Sequence, residues 1–357
     1  MKSKQFDRKT FLLYGATGFV GEFVAKTAVK RGLRPVIAGR DGEGIRALAT
    51  ELNLEHRVFA LEDEVALDAA LADVPVVLHC AGPFIHTFEP MVAGCLRSGT
   101  HYLDITGELP VFRAIHRLDA EARDKGVMLL PGVGFDVVAT DCLAVHLLKR
   151  LPEATSLKLA FHSDGPAGLP PGTLNTFLEM ISYGDKVRRD GRLEPAPRRE
   201  KTHLIDFGNG LQEATLLTWG DVSMAYYSTG IANIEDYAVL DQDFRRLMRA
   251  IRYARPLFAM EATKGFLRRN IKAGSTAEER AATQTHVWGE VKDDQGRRAV
   301  SRLHGPEAGV VWTTLAALDV VERVMSGDIM LGAQTPASAY GPELALDSDG
   351  VMWENVN

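Results

Sequence analysis

The stretch TFLLYGATGFVG, residues 10–21, constrains the fold more than any other part of the chain, because an apolar strand runs straight into glycines at Gly15, Gly18 and Gly21. Such a junction meets three demands at once: a tight turn after the strand, a backbone bare enough to approach a pyrophosphate, and a helix start whose N–H groups face the anion. An amphipathic run over 19–30 supplies the helix, so the segment reads as the strand, dinucleotide-binding turn and helix of a βαβ unit.

The same rhythm continues through the first third of the chain. RPVIA (34–38), HRVFAL (56–61), VPVVLHCA (74–81), HYLDI (101–105) and GVMLLP (126–131) are short apolar strands with helix-like segments between them. Strands alternating with amphipathic helices demand crossover connections, and hence a parallel sheet covered on both faces. The expected class is α/β, with a Rossmann-type doubly wound sheet in a nucleotide-binding domain over 1–131. From about residue 157 the pattern changes to longer alternating runs, LKLAFH, KTHLIDF, ATLLTW and THVWGEVKDDQGRRAVSRLHG, the last turning at 293–296. These predict a second, α+β domain over 132–306, built on a largely antiparallel sheet and suited to substrate binding or dimerisation. A helix over about 307–325 and the tail GAQTPASAYGPELAL are expected to form a C-terminal segment, 307–357, that packs back on the first domain.

A chain of 357 residues, 46% hydrophobic and 25% charged, has the composition of a soluble globular protein of two domains. Its net charge of -6 argues against general nucleic-acid binding. The polar start MKSKQFDRKT, with no apolar h-region after it, and the lack of any apolar run near the ~20 residues that span a bilayer lead us to expect a cytoplasmic location. Cys80, Cys95 and Cys142 are too far apart for a zinc site or a disulfide framework and are expected to be reduced and mostly buried. His79, His86 and His101 lack ligand spacing, so no metal is expected.

The second strand ends Ala38-Gly39-Arg40, where an NAD site would carry an acidic residue for the ribose hydroxyls. The planar fork of Arg40 suits a 2′-phosphate, which favours NADP (NADPH) over NAD, with the adjacent Asp41 as the group that could serve a ribose instead. CAGPF (80–84) and DITGE (104–108) end later strands, at the carboxyl edge where an open α/β sheet holds its ligand. Asp104, Thr106 and Glu108 are therefore candidate substrate or nicotinamide contacts, and Asp136, in GVGFD, either orients a ligand or caps the following helix. None of the eight tyrosines is followed four residues later by lysine, and no Gly-x-Ser-x-Gly elbow occurs, which sets aside short-chain-dehydrogenase and serine-hydrolase chemistry.

Together these residues resemble the saccharopine dehydrogenase-like oxidoreductases, particularly the shorter branch that includes trans-acting enoyl reductases. GATGFVGEFVA, VIAGR, HCAGPFIHTFEPMVAGCLRSGTHYLDITGE and GVGFDVVATD are similar to the family's first-domain signature, and GSTAEERA and TPASAYGPEL to its later blocks. The resemblance implies an NADP-binding Rossmann domain, a second α+β domain and a substrate cleft between them. It implies that Gly15, Ala16, Thr17, Gly18, Phe19, Val20 and Gly21 hold the pyrophosphate, Arg40 the 2′-phosphate, and Ala81, Gly82 and Pro83 the nicotinamide side. Asp104, Thr106 and Glu108 would border the reaction centre, with Glu108 the first choice for general acid and His101 the second. The chain departs from the family's GFDSxPSD, having Val137 and Ala139 where the serine and proline stand. The reaction expected is hydride transfer to or from a C=C, C=N or C=O bond of a small-molecule or acyl substrate; the alternatives are a non-catalytic NADP-binding redox regulator and a membrane-surface or scaffold protein.

The last alternative rests on residues 244–272, where Arg245, Arg249 and Arg252 share one helical face and Leu247, Ile251 and Ala254 lie roughly opposite. A basic amphipathic helix of this kind either meets an anionic membrane surface, steers an acidic or acyl-carrier-linked substrate, or is a solvated face, and Pro256 is expected to interrupt it. Peripheral membrane contact and a homodimer through an exposed sheet edge are the partner expectations, beside the substrate.

Overall fold

In the computed structural model, which describes residues 10–197, 199–269 and 274–356, the chain divides into two compact units. The first takes in residues up to Thr106, then Pro110–Gly134 and Thr313–Gln334; the second takes in Gly107–Leu109, Phe135–Trp312 and the residues from Thr335.

The first unit begins as a strand-helix alternation: β1 (Leu12–Tyr14), α1 (Phe19–Lys30), β2 (Val36–Gly39), α2 (Gly42–Leu52), β3 (His56–Val58), α3 (Glu64–Leu71), β4 (Val76–His79), α4 (Phe88–Ser98), β5 (His101–Asp104), α5 (Leu109–His116), α6 (Asp119–Lys125) and β6 (Met128–Leu130). Every residue of β1, β2, β4 and β6 is buried, the pattern of a parallel sheet covered on both faces, whereas β3 at the edge is largely exposed. Helix α1 buries Gly21, Val24, Ala25 and Ala28, a stripe at helical spacing. Helices start and stop where local chemistry requires. Asp41 caps α2, Asp63 caps α3, and α4 ends at Gly99 in the left-handed region (φ 78).

In the second unit α7 (Phe135–Arg150) is followed by β7 (Ser156–Asp164), α8 (Pro171–Met180), β8 (Lys186–Arg189), β9 (Arg192–Pro195), β10 (Thr202–Asp206), β11 (Leu211–Leu216), α9 (Asp221–Thr229), β12 (Asn233–Ala238), α10 (Gln242–Phe258), α11 (Glu261–Arg269), α12 (Ala277–Ala281), β13 (Gln284–Lys292) and β14 (Arg298–Pro306). The strands form a mixed sheet in which, among the described residues, only β7 and β12 pair in parallel; β13 runs antiparallel to both β7 and β14 over its full length. The turn expected at 293–296 is a hairpin: the Asp293 carboxylate accepts from the N–H groups of Gln295 (2.9 Å) and Arg297 (2.8 Å), and Gly296 takes φ 80. Helix α7 packs on β13, β14 and α9 and is buried on most sides, which explains its weakly periodic sequence. The expected interruption at Pro256 is a kink, with Ala254 at φ -117, ψ 31, inside a helix that continues to Phe258.

The C-terminal stretch divides between the units instead of returning whole to the first. Helix α13 (Thr313–Ser326) packs on α1 and β4, tied by an Arg31–Asp319 ion pair at 2.7 Å, and leads into β15 (Gly332–Ala333), which pairs in parallel with β6. Among the described residues the first sheet thus has seven strands, in the order β15-β6-β5-β4-β1-β2-β3. Helix α14 (Pro336–Tyr340) and β16 (Met352–Asn355) belong to the second unit, where the Ala337 N–H donates to buried Asp141 (2.8 Å) and β16 extends the sheet beyond β14. Among the described residues no helix is long and apolar enough to cross a membrane.

Candidate cofactor site and candidate catalytic residues

The parallel register sets the level at which the first unit's loops leave the sheet. Tyr14 is opposite Ala38 on one side and His79 on the other, and His79 is opposite Asp104. Gly15, Arg40, Ala81 and Thr106, which follow these strand ends, are therefore brought to one edge, the carboxyl edge of the sheet. His101 is not among them. It opens β5 opposite Val76, three residues before Asp104 and so about 10 Å back along the strand, and its Nδ1 accepts from the Met128 N–H (3.1 Å). Burial lowers its pKa, and it joins β5 to β6 as a neutral ring.

The glycine turn is shaped by contact and by conformation. Gly15 takes φ 85, and its N–H and that of Ala16 both donate to the Ala38 carbonyl (2.8 and 3.2 Å). A Cβ there would meet the Ala81 nitrogen at 2.7 Å, and one on Gly21 would strike the Gly15 carbonyl oxygen. Gly18 is different: it is exposed, precedes α1 with no side-chain cap, and has only the Gly15 carbonyl oxygen near its missing Cβ, at 3.2 Å. Thr17 and Phe19 beside it are exposed, while Ala16 is buried beneath the turn and Val20 is half-buried. An uncapped helix start behind a bare, solvent-facing backbone fits a pyrophosphate. Arg40 is exposed just beyond β2, free in position to meet a phosphate, whereas the Asp41 side chain is engaged with the Gly44 N–H (3.2 Å) as the α2 cap. Of the two neighbours, the arginine is exposed at the end of β2 and the aspartate side chain serves the helix.

The loops after β4 and β5 are held from below. Thr87 donates to the Ala81 carbonyl (2.7 Å), so its oxygen accepts from His79 Nε2 (2.9 Å), which assigns the proton to that nitrogen. Burial holds His79 down at about 3, neutral throughout the physiological range. Ala81, Gly82 and Pro83 stay partly or fully exposed above this anchor, with a cis bond at Gly82–Pro83. Asp104, fully buried, accepts from the Tyr102 hydroxyl (2.6 Å) and the N–H groups of Thr106 (2.9 Å) and Gly132 (2.8 Å). Its carboxylate clamps two strand ends together, a positioning role, and buried Thr106 is placed by it.

Glu108 falls in the second unit, buried and accepting from the Thr176 hydroxyl (3.0 Å). Sequence reasoning underrated what stands near it. The space above the Gly107 Cα is bounded by Asp136 Oδ2, 2.7 Å from where a Cβ would sit, and by Trp219 Nε1 at 3.3 Å. Burial pushes Asp136 up to about 6, with the Trp219 indole N–H pulling in the opposite direction. Asp136 therefore faces a tryptophan rather than capping α7 as an ordinary helix-start carboxylate. Asp141 is likewise held up at about 6 by burial, and Asp221 is raised well above the usual carboxylate range by burial and by neighbouring Asp236. Thr140 donates to Asp221 and Ser228 to Asp141, so these groups brace α7 against α9. No grouping of three or more histidine, cysteine or acidic side chains suited to a metal occurs among the described residues, and Cys80, Cys95 and Cys142 are free thiols, with Cys95 and Cys142 buried.

Residues 11–130, the strand-turn-helix frame that carries this edge, match the family described as saccharopine dehydrogenase NADP binding domain. Residues 11–130 of the first unit are thus similar to an NADP-binding domain of that family. A saccharopine dehydrogenase-like oxidoreductase of Homo sapiens is 28% identical over 215 residues, covering 52% of this chain and 50% of the relative. A trans-acting enoyl reductase of Mycobacterium bovis is 34% identical over 207 residues, covering 54% of this chain and 49% of the relative. The chain thus spans about half the length of the curated relatives it matches. In fold, it superposes on apo saccharopine dehydrogenase (L-Glu forming) of Saccharomyces cerevisiae with a TM-score of 0.66 at 15% identity, over 98% of this chain and 100% of that one. The α/β class, the second sheet domain and NADP(H) as cofactor agree with the sequence reading.

Proposed function

We propose that the protein is an NADPH-dependent reductase that transfers hydride to a C=C, C=N or C=O bond of a small-molecule or acyl substrate. The observation that carries this reading is the exposed Gly18 turn with Arg40 at the same sheet edge, inside a domain of an NADP-binding oxidoreductase family. Bound NADPH would supply the hydride. Residues 15–21 would hold the pyrophosphate through backbone N–H groups, Arg40 would pair with the 2′-phosphate, and the backbone of Ala81, Gly82 and Pro83 would border the nicotinamide side. Asp104 would keep Thr106 and the loop after β6 in place without taking part in proton transfer, and Glu108 is the candidate proton donor. A trans-acting enoyl reductase among the relatives favours conjugated acyl acceptors as the first to be tried.

The test is a fluorescence titration with NADPH and with NADH, on the wild type and on Arg40→Ala. We expect micromolar or tighter NADPH binding, weakened at least tenfold by the substitution, with NADH weak in both proteins; a tenfold loss corresponds to about 1.4 kcal/mol, an ordinary value for a charge-assisted contact. Binding of neither nucleotide overturns the reductase reading. Tight NADPH binding without oxidation by enoyl, imine or carbonyl acceptors favours the redox-regulator alternative.

A further inference from the structure

Helix α10 is apolar toward the body of the second unit and apolar again, over its last turns, away from it. Phe244, Leu247, Met248 and Ile251 pack into a cluster with Leu178 and Leu217. Tyr253, Leu257 and Met260, by contrast, are 72%, 57% and 54% exposed. At about 100° per residue, Arg246, Arg249 and Tyr253 fall within an arc of about 60° on the solvent side. Past the kink, Leu257 and Met260 continue the exposed apolar run, and Tyr183, 45% exposed, adjoins Gly184, over which the Arg255 guanidinium lies.

Charge is distributed unevenly around the helix. The expected free basic face is largely neutralised: Arg245 pairs with Glu200 and Glu213, Arg249 with Glu200 (2.6 Å), and Arg252 with Asp185 (3.0 Å). Arg246, 71% exposed, pairs only with exposed Asp243, and Arg255 has no acidic partner among the described residues. Residues 242–269 carry eight Lys and Arg against two Asp and Glu, in a chain whose net charge is -6, and Lys264 among them is buried against Glu179 (3.0 Å). Residues 270–272 of the basic segment lie outside the described residues.

We propose that this strip docks the protein on an anionic phospholipid surface, with Tyr253, Leu257 and Met260 entering the headgroup boundary and Arg246 meeting lipid phosphates. Such a surface accepts an aromatic ring at headgroup level, aliphatic side chains just below it and snorkelling arginines around them. A second copy of the chain suits the strip less well. It is one helix wide, whereas a stable dimer buries about 800 Å² on each partner.

The experiment is flotation of the full chain with vesicles of phosphatidylcholine alone and of phosphatidylcholine mixed with phosphatidylglycerol, on the wild type and on a Y253S/L257S/M260S variant. All three positions are exposed, so the variant should keep its melting temperature and NADPH affinity. We expect the wild type to float with the anionic vesicles, less so in high salt, and the variant to lose at least tenfold in partitioning. Equal flotation of both proteins, or none of either, overturns the proposal. So does wild-type dimerisation that the variant abolishes without any change in flotation.

Discussion

At the scale of single residues, the first unit buries a histidine ring against Tyr14, Phe84 and Tyr102. His79 is fully buried at the end of β4, with one nitrogen donating to Thr87 and the other, Nδ1, without a hydrogen-bond partner among the described residues. Protonating it would place a charge in that apolar setting, which is why its folded value falls to about 3 from an ordinary 6.5. Between those values the unfolded chain binds the proton and the folded chain does not. Stability is therefore present in full above about pH 6.5 and lost as the pH falls toward 3, by up to about 1.4 kcal/mol per pH unit. The amide of His79→Gln can still donate to Thr87 and cannot titrate. Urea denaturation at pH 7 and pH 5 should show the wild type losing about 2 kcal/mol more than the variant over that interval. Parallel losses would mean that His79 is protonated in the folded protein.

At the scale of elements, the turn from β2 into α2 separates two adjacent side chains that look interchangeable as ribose or phosphate ligands. Asp41 accepts from the Gly44 N–H and caps α2, and Arg40 is left at the ligand edge. Asp41→Ala should cost about 1 kcal/mol of stability by chemical denaturation and leave the preference for NADPH over NADH unchanged. A shift in that preference would move Asp41 into the nucleotide site. This element was half legible in the sequence: an arginine after the second strand was visible, but whether the aspartate caps a helix depends on where the chain turns. The strand-glycine-helix junction was legible because each residue's role is local, as was the β13–β14 hairpin with its Asp293 to Gly296 turn. The arginines of α10 were legible as an amphipathic face and not as ion pairs. Their partners Glu213, Glu200 and Asp185 stand 32, 45 and 67 residues away, and periodicity carries no information at that range. The two-residue strand β15 escaped for the opposite reason, being too short to show a period.

At the scale of the whole molecule, the chain passes between its two units several times, and three residues of the segment after β5, Gly107–Leu109, count with the second unit. A sequence reads naturally as consecutive blocks, so the division of the C-terminal stretch, with β15 completing the first sheet and β16 the second, was out of reach of local pattern. This division makes ligand linkage a regional measurement. NADPH that binds the folded first unit stabilises it by about 2.7 kcal/mol at a hundred times its dissociation constant. Hydrogen exchange should then slow most in peptides covering 11–52, 76–87 and 313–334, which are first-unit residues, with a smaller effect on peptides from β13 and β14. The last of the three peptides is the discriminating one, because α13 and β15 are distant in sequence from the glycine turn and join its unit only by packing, α13 on α1 and β4 and β15 on β6. Slowing there together with 11–52 means that the seven-stranded unit opens as one body. Protection confined to 11–52 would mean that α13 and β15 exchange independently of the nucleotide, and equal protection in β13 and β14 would mean that the chain unfolds as a single cooperative unit.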